Sequence, residues 1–127
     1  MGTVSALTGK AGEEEAVKLL TEKGYRILER NWLFRKKEID VIACNEACIA
    51  FIEVKTRTDG YLEAPSEAVT RTKQKYIIAA ANEYIQQHNI SKEVRLDVIS
   101  VVLNKDGSLK EIEHTENAYY PVMIKNR

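Results

Sequence analysis

Three strand-like segments, the second rich in β-branched residues, follow one another with turns too short to hold a helix between them. That run constrains the fold more than any other feature of the 127-residue chain. The segments are Tyr25 to Phe34, Ile39 to Cys44 and Ile49 to Thr56, the last two joined around Asn45-Glu46. Strands connected this tightly pair antiparallel, as a meander. A helix precedes them, about Ala11 to Lys23, with Ala16, Val17, Leu19 and Leu20 as its apolar stripe. Gly24 stands where a helix C-terminus favours glycine. After a loop marked by Asp59-Gly60 and Pro65, Ser66 is placed to cap a second helix, about Glu67 to Gln87, which stops near Asn89. Val94 to Leu103 is the most apolar strand, and Asp106-Gly107 signals a turn before a further strand or an irregular tail. A strand reached through a helix is free to lie parallel to its neighbour. The expected architecture is α/β, a mixed sheet flanked by helices, in one domain spanning residues 1–127.

Composition removes several classes of function. With 44% hydrophobic and 30% charged residues the chain is neither disordered, collagenous nor a disulfide scaffold. No apolar stretch approaches the roughly 20 residues of a membrane span, and no charged-then-apolar leader opens the chain. Met1-Gly2 is followed by Ala6 where myristoylation wants Ser or Thr. The expected location is the cytoplasm, with no membrane partner. Cys44 and Cys48 lack a second pair and a nearby histidine, so they read as core thiols and not as zinc ligands. His88 at the end of the long helix and His114 in the tail read as structural or solvent-facing.

The net charge is zero, 19 basic against 19 acidic residues, so a whole-molecule field attracting nucleic acid is absent. The distribution is less even. Arg26, Arg30, Arg35, Lys36 and Lys37 crowd one stretch against Glu29 alone, and Lys55, Arg57, Arg71, Lys73 and Lys75 follow. A homodimer would pool such basic patches.

The third strand alternates, with Phe51, Glu53, Lys55 and Arg57 on one face and Ala50, Ile52 and Val54 on the other. A two-residue loop gives the second and third strands an odd-sum register. Asp40 then lies across from Phe51 or Glu53, on the face of Glu53 and Lys55, whereas a three-residue loop would turn it away. An acid-x-Lys triplet alone is as well explained by a surface ion-pair ladder worth about 0.2–1 kcal/mol. The facing Asp40 is what gives it weight. In the first helix, at about 100° per residue, Glu13 falls within the apolar stripe and Glu14 and Glu15 outside it. A carboxylate on a core-facing stripe is costly unless paired or metal-bound. Lys73 falls on the stripe of Val69, Tyr76, Ile77, Ala80 and Tyr84, where snorkelling accounts for it equally well.

Asp40 and Glu53, with the Val54 carbonyl, are an oxygen donor set suited to Mg2+ or Mn2+, which keeps several waters. Lys55 would orient a water and offset developing negative charge, and Arg57 suits a phosphate through its planar fork. Glu13 would complete the shell or help bind a second ion. This chemistry is metal-dependent phosphodiester hydrolysis.

At these residues the sequence resembles the PD-(D/E)xK nuclease superfamily: Ile39-Asp40, twelve intervening residues, then Glu53-Val54-Lys55, with Ile in place of the nominal Pro. More closely it resembles the YraN-like family of uncharacterised bacterial proteins. The likeness runs through Gly9-Lys10-Ala11-Gly12-Glu13, Gly24-Tyr25-Arg26-Ile27-Leu28, Arg30-Asn31, Glu38-Ile39-Asp40-Val41-Ile42, Phe51 to Arg57, Glu67-Ala68-Val69, Lys73 and Arg95-Leu96-Asp97-Val98. It covers about Gly9 to Val102. Lys37 and Glu63 depart from it, each standing where the family has Gly.

The resemblance implies a restriction-endonuclease-like αβββαβ core similar to that of archaeal Holliday-junction resolvases. It also implies a site of Glu13, Asp40, Glu53 and Lys55, and a nucleic-acid partner, DNA or a branched form, met by Arg57, Lys73, Arg35 and Lys36. Asp97 matches the family pattern as well, and an ion pair with Arg95 or a basic helix residue explains it without chemistry. The rival reading is a nucleic-acid-binding adaptor on the same fold with little or no turnover, favoured by the zero net charge. A purely structural interaction protein is a third.

Overall fold

The computed structural model describes residues 3–60 and 69–119, with side chains from residue 8 onward. Its elements run α1 (Thr3–Glu22), β1 (Arg26–Phe34), β2 (Lys37–Cys44), β3 (Cys48–Thr58), α2 (Arg71–His88), β4 (Glu93–Leu103) and β5 (Leu109–Thr115). The first six follow the expected αβββαβ order of a restriction-endonuclease-like core, and β5 is the further strand after Asp106-Gly107.

Five strands form one sheet in the order β1-β2-β3-β4-β5. β1, β2 and β3 are the antiparallel meander, β3 and β4 pair parallel through the α2 crossover, and β5 returns antiparallel on β4. The β2–β3 reversal is held by Asn45, whose side chain accepts from the Ala47 and Cys48 N–H groups at 2.9 Å. That side-chain turn fixes the parity of the hairpin.

The helices take opposite faces. Ala16 and Leu20 of α1 pack on Val41, Ala43, Ala50, Ile52, Ile99 and Val101. Ile77, Ala80, Ala81 and Tyr84 of α2 pack on Ile42, Cys44, Ile49, Phe51, Leu96 and Val98. β3 and β4 are therefore apolar on both sides over much of their length, as strands between two helical layers must be. Among the described residues no helix is long and apolar enough to cross a membrane.

Two boundaries differ from the sequence expectation. α1 starts at Thr3, eight residues before Ala11. Gly9 and Gly12 weaken the local helical signal, each costing about 1 kcal/mol relative to Ala in a helix interior. Gly12 is needed for contact: a Cβ there would lie 1.9 Å from Thr56 Oγ1, so glycine lets α1 approach β3. α2 starts at Arg71, capped by Thr70, whose hydroxyl accepts from the Lys73 N–H. Thr70 and Ser66 both carry a capping oxygen ahead of the apolar stripe, and the residue closer to the stripe takes the role. Ser66 and Glu67 lie outside the described residues. The far end is as expected, with Asn89 in the left-handed region at φ 52.

Candidate active site

Asp40 sits where the regular pairing of the sheet gives way. β2 and β3 pair Val41 with Ile52 and Ile42 with Phe51, and the ladder ends there in the odd-sum register. The next positions in that register are Asp40 and Glu53. Past the ladder's end the Val54 N–H donates to Asp40 Oδ2 at 2.8 Å. On the other side of β2, β1 pairs Arg30 with Val41 and Trp32 with Ile39, which brackets Asn31 opposite Asp40. Asn31 has φ 51, a left-handed backbone that asparagine tolerates. The period-two alternation slips at this point, since Ile39 packs into the α2-side core and Val41 into the α1-side core. A side chain at such a slip is within reach of groups from both layers.

The charges around Asp40 follow from this position. Burial pushes its pKa from 3.8 up to about 6, and the nearby charges of Glu53 and Glu13 push the same way. The Val54 hydrogen bond and the charge of Lys73 oppose them without cancelling them. Glu13 comes from α1, one turn ahead of the buried Ala16. Asn31 Nδ2 donates to its two carboxylate oxygens at 3.3 and 3.2 Å. Its neighbour Glu14 turns to Arg30 at 2.9 Å. Of the three consecutive acids Glu13, Glu14 and Glu15, then, Glu13 alone acts on Asp40.

Glu53 follows Phe51 on the α2 face and is paired with Lys73, whose Nζ lies 3.2 Å from Oε2. Lys55 and Arg57 continue along the same face at alternate positions, and neither makes an ion pair among the described residues. The lysine that faces Glu53 is thus the one on α2, not the one on its own strand. Arg35 and Lys36 form the exposed β1–β2 tip, with the Arg35 guanidinium 4.7 Å from the centre of the Phe34 ring. The Tyr76 hydroxyl donates to the Phe34 carbonyl and Lys37 lies over the Tyr76 ring, which ties this tip to α2 one turn beyond Lys73. The basic tip therefore flanks the acids.

Asp97 belongs elsewhere. It is fully buried on the α1 face and takes Arg95 on both oxygens, at 3.2 and 2.8 Å, as the ion-pair reading expects. His114 Nε2 at 2.8 Å and the Asn117 N–H at 3.0 Å complete its shell. Burial pushes its pKa up, but the hydrogen bonds from His114, Arg95 and Asn117 outweigh burial and hold it below the usual carboxylate range. Arg95 also donates to the Tyr25 hydroxyl and to Cys48 Sγ, and Lys23 Nζ lies 2.8 Å from His114 Nδ1. This network locks β4, β5 and the end of α1 together. Asn31 entered the sequence reading only within the resemblance, with no role, and His114, read as structural or solvent-facing, is structural. An asparagine amid strand residues was the signal for the first, and nothing local marks the partner of the second.

Among the described residues no three His, Cys, Asp or Glu side chains gather closely enough to hold a metal by themselves. Mg2+ does not require that, since it is commonly bound by one or two carboxylates with waters and phosphate oxygens completing the octahedron. Asp40 and Glu53 are hard oxygen donors on neighbouring strands, and Asp40 is destabilised as an anion in the protein alone. The donor set fits such an ion.

The sequence profile of Uncharacterised protein family UPF0102 matches residues 12–101, which include Glu13, Asp40, Glu53, Lys55 and Lys73. A UPF0102 protein of Porphyromonas gingivalis is 46% identical over 92% of this chain and 86% of its own length. Relatives in Chlorobium phaeobacteroides and Flavobacterium psychrophilum are 44% and 41% identical, over 87% and 88% of this chain and 92% of their own lengths. The chain belongs to the UPF0102 family, the YraN family of the sequence resemblance.

Proposed function

We propose that the protein is a divalent-metal-dependent nuclease that binds DNA, including branched forms, and hydrolyses its phosphodiester bonds in the cytoplasm. The observation that carries this reading is Asp40: a mostly buried carboxylate set against two other acids, with one backbone donor and its pKa pushed to about 6. Such an arrangement costs stability in the protein alone and is relieved by a cation.

Asp40 and Glu53, with the Val54 carbonyl, would hold Mg2+ or Mn2+, and Glu13, not gathered closely enough to be a third direct ligand, would reach the shell through a bound water. When bound, the ion supplies Lewis-acid polarisation of a phosphoryl oxygen and hydroxide at neutral pH. The protein's own groups do the rest. Lys55, one pleat beyond Glu53, orients the attacking water and offsets negative charge on the phosphate. Arg57 grips a flanking phosphate with its planar fork. Arg35, Lys36 and Lys73 track the backbone on the α2 side of the acids, the sequence-independent part of nucleic-acid binding.

The test is cleavage of linear, flapped and four-way-junction DNA, and of RNA, with Mg2+ or Mn2+, by wild type, Asp40→Asn and Lys55→Ala. Metal-dependent cleavage lost in both variants is the expected result, and cleavage surviving both would come from a contaminant. Binding without cleavage in either metal would establish the adaptor reading. That alternative draws on the zero net charge and on the engagement of Glu53 by Lys73.

A further inference from the structure

We infer that Lys73 is the internal counter-ion of the acidic site: it holds Glu53 in the ligand-free protein and gives it up when a divalent cation binds. This inference rests on the metal-dependent reading above and assigns Lys73 a positioning role ahead of its contact with nucleic acid.

The Lys73 ammonium lies 3.2 Å from Glu53 Oε2, and its charge also acts on Asp40. One cation from a neighbouring layer thus balances two carboxylates from adjacent strands. The two partners differ in freedom. The Glu53 side chain is 15% exposed and fixed on a central strand, whereas that of Lys73 is 40% exposed on a flexible stem. Of the pair, the lysine is the one able to move.

Folding alone does not account for a lysine here. It is the third residue of α2, whose first turn carries Arg71 and Lys73 and no acid. Cations are disfavoured at that end of a helix, where the dipole and the free N–H groups are positive. The partner that makes the position tolerable is Glu53. A dication seated between Asp40 and Glu53 would neutralise the same carboxylate and repel the ammonium beside it, so the two compete for one charge. Lys73, once released, stands next to the seat of the phosphate.

The competition is measured with Mn2+ alone, by titration calorimetry or electron paramagnetic resonance, without nucleic acid or turnover. Lys73→Gln should bind Mn2+ about 1.5–5-fold more tightly than wild type, the worth of a half-exposed ion pair, and Lys73→Arg should bind like wild type. In wild type, Mg2+ should shift the Lys73 15Nζ resonance, assigned by its absence in Lys73→Arg. Unchanged or weaker Mn2+ binding by Lys73→Gln, or a resonance indifferent to Mg2+, overturns the counter-ion role. Asp40→Asn separates that failure from failure of the metal reading: Mn2+ bound equally by wild type and Asp40→Asn would sink the metal site itself. Should Lys73→Gln fail to fold by circular dichroism, the wild-type resonance decides alone.

Discussion

Asp40→Asn should make the protein more stable at neutral pH, although it removes a charged residue whose carboxylate accepts a backbone hydrogen bond. The carboxyl has a pKa of about 6 in the folded chain against 3.8 as its ordinary value. Between those two values the native state binds more protons than the unfolded state, so stability falls as pH rises through that window. The full loss is in place above about pH 6. At 1.36 kcal/mol per pKa unit it amounts to about 3 kcal/mol at most. Asparagine resembles the protonated acid in shape and charge, and its Oδ1 still accepts from the Val54 N–H. The expected gain at pH 8 is about 1–3 kcal/mol, shrinking towards zero at pH 4.

Urea unfolding followed by circular dichroism, with a chelator present, measures this directly. The midpoint of Asp40→Asn should lie about 1–2 M above wild type at pH 8 and coincide with it at pH 4. Added Mg2+ should raise the wild-type midpoint and leave that of the variant in place, because a ligand stabilises only the state that binds it. If the Asn variant is no more stable than wild type at pH 8, or its advantage does not vary with pH, the electrostatic account of the site is wrong.

Two further perturbations test the scaffold. Arg95→Met leaves Asp97 buried without its bidentate partner and should cost about 3–5 kcal/mol in urea unfolding at pH 7. Asp97 is held below the usual carboxylate range, so its stabilising contribution is present above pH 4 and lost as pH falls below, the opposite dependence from Asp40. Gly12→Ala places a Cβ against the Thr56 side chain and should cost about 1–3 kcal/mol by overpacking, read as a lowered thermal midpoint. Gly12→Ala with Thr56→Ser should recover part of that loss, since the Thr56 Cγ2 lies 2.7 Å from the added atom.

The fold was legible because its signals are local. Strand periods, short turns and the Gly24, Asn89 and Gly107 stops each act over a few residues, and the meander and crossover follow from connection length. The facing of Asp40 and Glu53 was legible only conditionally, because it hangs on the parity of one turn. Asn45 settles that parity by accepting from two N–H groups, a feature two or three residues in range. The partner of Glu53 was not legible. It depends on where α2 starts and in what phase it meets the sheet, and the expected Ser66 cap differs from the Thr70 cap of α2. His114 was read as structural or solvent-facing, but its partner was hidden for the same reason at longer range. Its burial against Asp97 is decided by β5 pairing with β4, and a seven-residue strand with one lone histidine says nothing of that.

The two aspartates on adjacent layers of this sheet show what that difference means. Asp97 has Arg95, His114 and the Asn117 N–H, so a buried negative charge is surrounded by donors and settles below its ordinary pKa. Asp40 has one N–H, two acids and a share of a lysine that is spent on Glu53. Both arrangements come from the same chain and the same kind of residue, so neither burial nor strand position explains the contrast. A sequence shaped for stability alone would give Asp40 a basic partner of its own or replace it with asparagine. The chain instead carries its electrostatic strain at one place, between β2 and β3 and under the first turn of α2. That is the place where a cation would relieve it.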